Sequence, residues 1–128
     1  MSYYFTKILK GVSFEEAIDR TKKALKEEGF GVIAEIDFQK TLKEKLNVDF
    51  RKYMVLEACN PPYALKSLTA DDKIGTMLPC NFVIQKNGGE VEVSSIDPVA
   101  AMAEVENEEM KGIALEISEK LKRVVETL

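Results

Sequence analysis

The chain has no histidine, no tryptophan, only two cysteines, and no apolar run long enough to cross a bilayer. Each absence removes a class of function. Without histidine there is no Ser-His or Cys-His couple and no imidazole metal ligand. The commonest general base near neutral pH is missing as well. Neither cysteine belongs to a C-x-x-C pair, and no glycine loop of the phosphate-cradling kind occurs. A conventional hydrolase or NTPase is therefore not expected. Apolar stretches fall well short of the roughly 18 residues of a membrane-spanning helix, so no membrane association is expected. Met1-Ser2-Tyr3-Tyr4-Phe5 has no basic segment leading into an apolar one, so no secretory signal is read there. Two cysteines in such a chain are expected to be reduced thiols in the cytoplasm.

What is present describes an ordinary globular protein. The chain has 128 residues, 45% hydrophobic and 31% charged, with a net charge of −4. That length suits one domain over residues 1–128, able to build a core without disulfides or metals. The acidic balance argues against nucleic acid, whose binders carry a basic face.

Hydrophobic spacing then lays out the elements. Tyr3 to Lys10 reads as a strand with imperfect alternation. Ser13-Phe14-Glu15-Glu16 is a capping box, in which the serine takes the Glu16 amide and the Glu16 side chain reaches back. The helix it opens closes at Gly29. Residues 30–37 form a second strand, with Phe30, Val32, Ala34 and Ile36 expected on one face. Phe38, Leu42 and Leu46 mark a short amphipathic helix ending near Asn47 and lying over the sheet edge. A third strand runs from about Arg51 to Cys59, with Met54, Leu56 and Ala58 on one side and Tyr53, Val55, Glu57 and Cys59 on the other. Asn60-Pro61-Pro62 ends it and starts a short helix, because proline suits the first helical position. Asn87-Gly88-Gly89 joins a fourth and fifth strand as a hairpin. Asn107 opens a last helix striped by Met110, Ile113, Ala114, Ile117, Leu121, Val124, Val125 and Leu128. The expected fold is α+β: one mixed or antiparallel sheet of about five strands, with helices on one face.

The unusual residues gather at two strand ends. Glu57, Cys59, Asn60, Pro61 and Tyr63 lie at one, and Pro79 and Cys80 at the other. If strands three and four are antiparallel neighbours, the two thiols approach; if parallel, they lie roughly 20 Å apart. Side-chain parity sets Cys80 on the core face with Phe82 and Ile84, and Cys59 with Glu57 on the other, unless a bulge breaks the parity. Several uses remain open: two part-buried strand-end residues, a reactive or ligand-facing thiol, or a disulfide. A further option is an anion corner made by the amides around Tyr63 and Ala64, beside which a Cys59 thiolate would be stabilised. Glu57 is expected to face solvent or a partner, with a buried acid as the alternative. Two thiols make an incomplete metal set unless a dimer doubles them.

The stretch from about Asp37 to Pro98 resembles a prokaryotic family known as domain of unknown function 302. The resemblance rests on Ile36-Asp37 before the Leu42/Leu46 helix, Cys59-Asn60-Pro61 with Ala64, Leu78-Pro79-Cys80-Asn81, and Ile96-Asp97-Pro98. It implies a β-α-β-β-β-β-α core like half of a TATA-binding-protein saddle, and a homodimer. It implies no activity, cofactor or catalytic residue. The expected function is a small cytoplasmic binding or accessory module, homodimeric, with a cleft for a small-molecule ligand at Cys59-Asn60-Pro61 and Pro79-Cys80. The alternatives are a thiol-dependent redox protein using Cys59 and Cys80, and an assembly partner whose open sheet face is the interface.

Overall fold

Ser13 starts the first helix as its position requires, its hydroxyl accepting from the Glu16 N–H at 3.0 Å. Only half of the box forms, because the Glu16 carboxylate pairs forward with Arg20 instead of reaching back. In the computed structural model, which describes residues 2–128, this helix, α1, spans Phe14–Glu27. Before it lies β1 (Tyr4–Leu9), and after it come β2 (Gly31–Asp37), α2 (Phe38–Leu46), β3 (Tyr53–Cys59) and α3 (Pro61–Ala70). A 3-10 turn, Ile74–Met77, leads to β4 (Cys80–Asn87) and β5 (Glu90–Ile96). The chain then forms α4 (Pro98–Ala101) and α5 (Glu108–Glu126).

The strands form one sheet in the order β1-β5-β4-β3-β2, every pairing antiparallel. Asn87 faces Glu90 across a two-residue turn whose first residue, Gly88, has φ +66°, a conformation that suits glycine. The five strands and their antiparallel character agree with the α+β expectation.

Alternation decides what each face carries. Leu56, Phe82, Ile84 and Val93 are completely or almost completely buried under α1 and α5, whose Leu25, Met110 and Leu121 have no exposure. Each such side chain contributes about 1.5–3 kcal/mol on leaving water. Asn107 caps α5 through its carbonyl, 3.0 Å from the Met110 N–H, and ties it to α3 by donating to Ala70 O. The other face carries Tyr4, Thr6, Ile8, Val55, Val83, Gln85, Glu92 and Ser94. Its nearest helix is α2, which buries none of its residues and meets the sheet through Phe38 on Tyr53, ring centroids 5.9 Å apart.

One strand departs from the expected pattern. The β2–β3 register shifts between Val32 and Ala34, so that Val32 pairs Ala58 while Ala34 pairs Glu57. This bulge puts Val32 on the helix-covered face and moves Ala34 and Ile36 to the bare one, so the four residues 30, 32, 34 and 36 do not share a face. Glu35 in turn reaches α1, its carboxylate 2.9 Å from Lys22 Nζ.

Candidate functional site

Antiparallel pairing of β3 with β4 sets Ala58 opposite Cys80, one residue from Cys59. The two strand ends therefore share a rim, and a pocket of about 200 Å³ opens there. Of the seven residues singled out in the sequence, Cys59, Asn60, Tyr63, Pro79 and Cys80 line it; Glu57 and Pro61 do not. Glu57 sits between Ala34 and Asn81 in the register, on the sheet's other face, as its parity with Val55 dictates. Pro61 is exposed at the first position of α3.

The remaining lining comes from residues that no motif announced. Ile117 on α5 and Ala64, Ser67 and Leu68 on α3 wall the pocket, with Phe30, Leu78 and Gly75 closing it. Ile33 stands at the mouth, 64% exposed, aimed there by the β2 bulge. Ile117 was readable as core from the stripe of the last helix. The spacing of Ala64, Leu65 and Leu68, which reads as a short buried stripe, is overturned: Leu65 is 69% and Leu68 46% exposed, and Ser67 is the buried residue of α3. Ser67 adds no free polar group to the wall, because its hydroxyl donates to Tyr63 O at 2.7 Å. The pocket is thus apolar almost throughout.

Both thiols are free. Cys80 is 6% exposed, and burial pushes its thiol from an ordinary value near 9 up to about 11, with the nearby Cys59 sulfur adding to the shift. A thiol so placed is neutral at physiological pH and acts as a wall of the pocket.

Asn60 holds the corner. It makes no side-chain cap on α3; its amide nitrogen donates instead to Glu28 O at 3.2 Å, satisfying a carbonyl at the end of α1. Gly29 makes that approach possible: its φ is +87°, and a Cβ there would stand 3.1 Å from Asn60 Nδ2. The anion corner expected from the amides near Tyr63 and Ala64 is largely absent. Pro61 and Pro62 have no N–H, and the Ala64 N–H donates to Asn60 O at 2.9 Å. Tyr63 alone keeps a first-turn N–H to offer.

A cluster of charges lies near the pocket, where Asn60 meets the end of α1 and Lys120 stands over the Tyr63 ring. Arg123 on α5 grips the Glu28 carboxylate through Nε and Nη2, the latter at 3.0 Å, and Lys120 lies 3.8 Å from the same group. The Arg123 hydrogen bonds hold the Glu28 carboxyl below the usual carboxylate range, with Lys120 adding a smaller pull. Among the described residues no group of three or more Cys, Asp or Glu is placed to hold a metal ion. No helix among them is long and apolar enough to cross a membrane.

Comparison with known proteins places the chain. No protein of curated function matches it. A crystal structure described as an uncharacterized conserved protein DUF302 from Bacillus stearothermophilus is 28% identical, with 98% of each chain covered and a TM-score of 0.91. The sequence profile of the domain of unknown function DUF302 matches residues 5–128, well beyond the segment whose motifs suggested it. The chain is therefore a member of the DUF302 family.

Proposed function

We propose that the chain is a small binding module whose ligand enters the pocket between the ends of β3 and β4. One observation carries the reading: five residues from two strand ends and a helix start converge on a cavity of about 200 Å³ with apolar walls. Enclosed cavities of roughly 150 Å³ with such walls take up benzene-sized molecules, and this open pocket offers a comparable apolar volume. Titration of isotope-labelled protein with small apolar compounds tests this by NMR. Shifts should centre on Cys59, Ala64, Leu68 and Leu78, and an Ala64→Phe substitution that fills the space should abolish them. An unperturbed spectrum at saturating xenon and benzene ends the reading.

In this proposal the module works as a homodimer joined through the bare sheet face. Tyr4, Ile8, Ile36 and Phe38 are exposed there, and the cross-strand row Ile36–Val55–Val83 runs beneath them. An antiparallel sheet tolerates water on one side, but the exposed Tyr4, Ile8 and Phe38 would gain from a cover. Sedimentation velocity should give a dimer that Ile8→Glu converts to a monomer. A wild-type monomer at the highest attainable concentration rejects this interface.

A second reading, thiol redox chemistry, is favoured by two free sulfurs on one pocket wall. A hydroperoxide would convert the two thiols to a Cys59–Cys80 disulfide, with release of one alcohol and one water. The more exposed Cys59 would be oxidised first, because a thiol held near 11 supplies little thiolate. Intact mass after peroxide treatment should show loss of two hydrogens, restored by reductant; an unchanged mass discards the redox reading.

A further inference from the structure

The pocket mouth has a charge pattern that its walls lack. Tyr63 lines the pocket, and its ring has two ammonium groups in cation–π range, Lys66 Nζ at 5.3 Å and Lys120 Nζ at 5.8 Å from the centroid. Lys120 lies one turn beyond Ile117 on α5, so the same helix face that walls the cavity brings a cation to its border. Arg123 is fastened to Glu28, which also draws Lys120, and the exposed Glu119 acts on Arg123 as well. Lys66 has no carboxylate within ion-pair distance among the described residues. Of these three cations, Lys66 alone makes no ion pair among the described residues, and it stands over the Tyr63 ring that lines the apolar cavity.

We propose that the pocket binds a small monocarboxylate, its hydrocarbon body against Cys59, Leu68, Cys80 and Ile117 and its carboxylate at the mouth near Lys66 and Lys120. The inference rests on the ligand-pocket reading above and adds the chemical class of the ligand. The cavity size suits a body of about six heavy atoms. Lys66, the one of these cations without an ion-pair partner among the described residues, suits a single anionic group. The net charge of −4 does not oppose this, because charges beyond about 8–10 Å are screened at physiological salt while the lysines act at contact range.

Parallel NMR titrations with hexanoate and its neutral isostere hexanamide provide the test. Hexanoate should bind about fivefold tighter, and added salt should narrow the gap. In a chain carrying Lys66→Met and Lys120→Met, the two ligands should bind alike, because methionine keeps an apolar stem over Tyr63 and removes the charge. If wild-type protein binds hexanamide as tightly as hexanoate, the carboxylate assignment is wrong and the pocket reading stands. If neither compound shifts Cys59, Ala64 or Leu68, the pocket reading falls and this inference falls with it.

Discussion

The two faces of this sheet are made from alternate residues of the same strands, and they have almost nothing else in common. Along β4, Cys80, Phe82 and Ile84 are buried under helices, while Asn81, Val83 and Gln85 line an open groove of about 410 Å³ on the other side. That groove carries the hydroxyls of Tyr3, Tyr4, Tyr53, Thr6 and Ser94; the pocket at the end of the covered face has scarcely a polar atom to offer. A one-residue step along a strand therefore changes the chemistry completely. Apolar walls and a neutral thiol belong to one face, breadth and hydrogen bonding to the other. The largest effect that would sharpen this contrast is on stability. Phe82→Ala should cost about 3–5 kcal/mol in urea unfolding, because the ring is wholly buried and its neighbours cannot collapse into the space. Val83→Ala, one residue on, should cost about 1 kcal/mol or less. Measured on dilute, monomeric protein, comparable losses at the two positions would mean that the two faces are buried alike within one chain. A Val83→Ala loss that grows only at dimer-forming concentration is what the proposed interface predicts.

The second effect uses pH. Cys80 stays protonated in the fold up to about 11, whereas in the unfolded chain it ionises near 9. Between these values the unfolded state has released a proton that the native state retains, so stability falls as pH rises. By pH ~10.5 the loss reaches about 2 kcal/mol. Cys80→Ala removes the group from both states and should lack that part of the alkaline decline, though it starts from a slightly lower stability. Parallel urea curves at pH 8 and 10.5 give the difference. An identical decline in both proteins would show that the Cys80 thiol reaches water and that the pocket wall is not closed there.

These contrasts also mark how far the sequence could be read. Parity along β3 and β4 assigned Phe82, Ile84 and Leu56 to the core, and Ser13, Asn107 and the Asn87-Gly88 turn showed where helices and hairpin begin. All of these are local signals with short reach. The β2 bulge was invisible, because one extra residue has no signature in Phe30-Gly31-Val32-Ile33, yet it alone reversed the faces of Ala34 and Ile36. Cys59 and Cys80 were recognised as unusual, and antiparallel pairing was named as the condition for their approach. Parity set Glu57 and Cys59 together on the face away from the core; Glu57 lies there, whereas Cys59, the last residue of its strand, lines the pocket with Cys80. Ile117, Lys120 and Arg123 lie far along the chain, and only the packing of α5 across the sheet brings them to the mouth.

The smallest effect concerns the ion pairs beside the pocket, one of the places where charge joins the covering helices. Glu28 joins the end of α1 to α5 through Arg123, and its carboxyl is held below the ordinary value of 4.5 chiefly by the Arg123 hydrogen bonds. A depressed carboxyl stabilises the fold above its ordinary value, and that contribution disappears as pH falls through the folded one. Because Arg123 is half exposed, Glu28→Gln should cost only about 0.5–1 kcal/mol at pH 7, and the difference between the two proteins should close on acidification. The same substitution removes the carboxylate nearest both Lys120 and Arg123. It should therefore weaken the fold slightly while tightening hexanoate and leaving hexanamide unchanged. A variant that loses stability but binds both compounds as before would leave Glu28 a strut between two helices, with no influence on what enters the pocket.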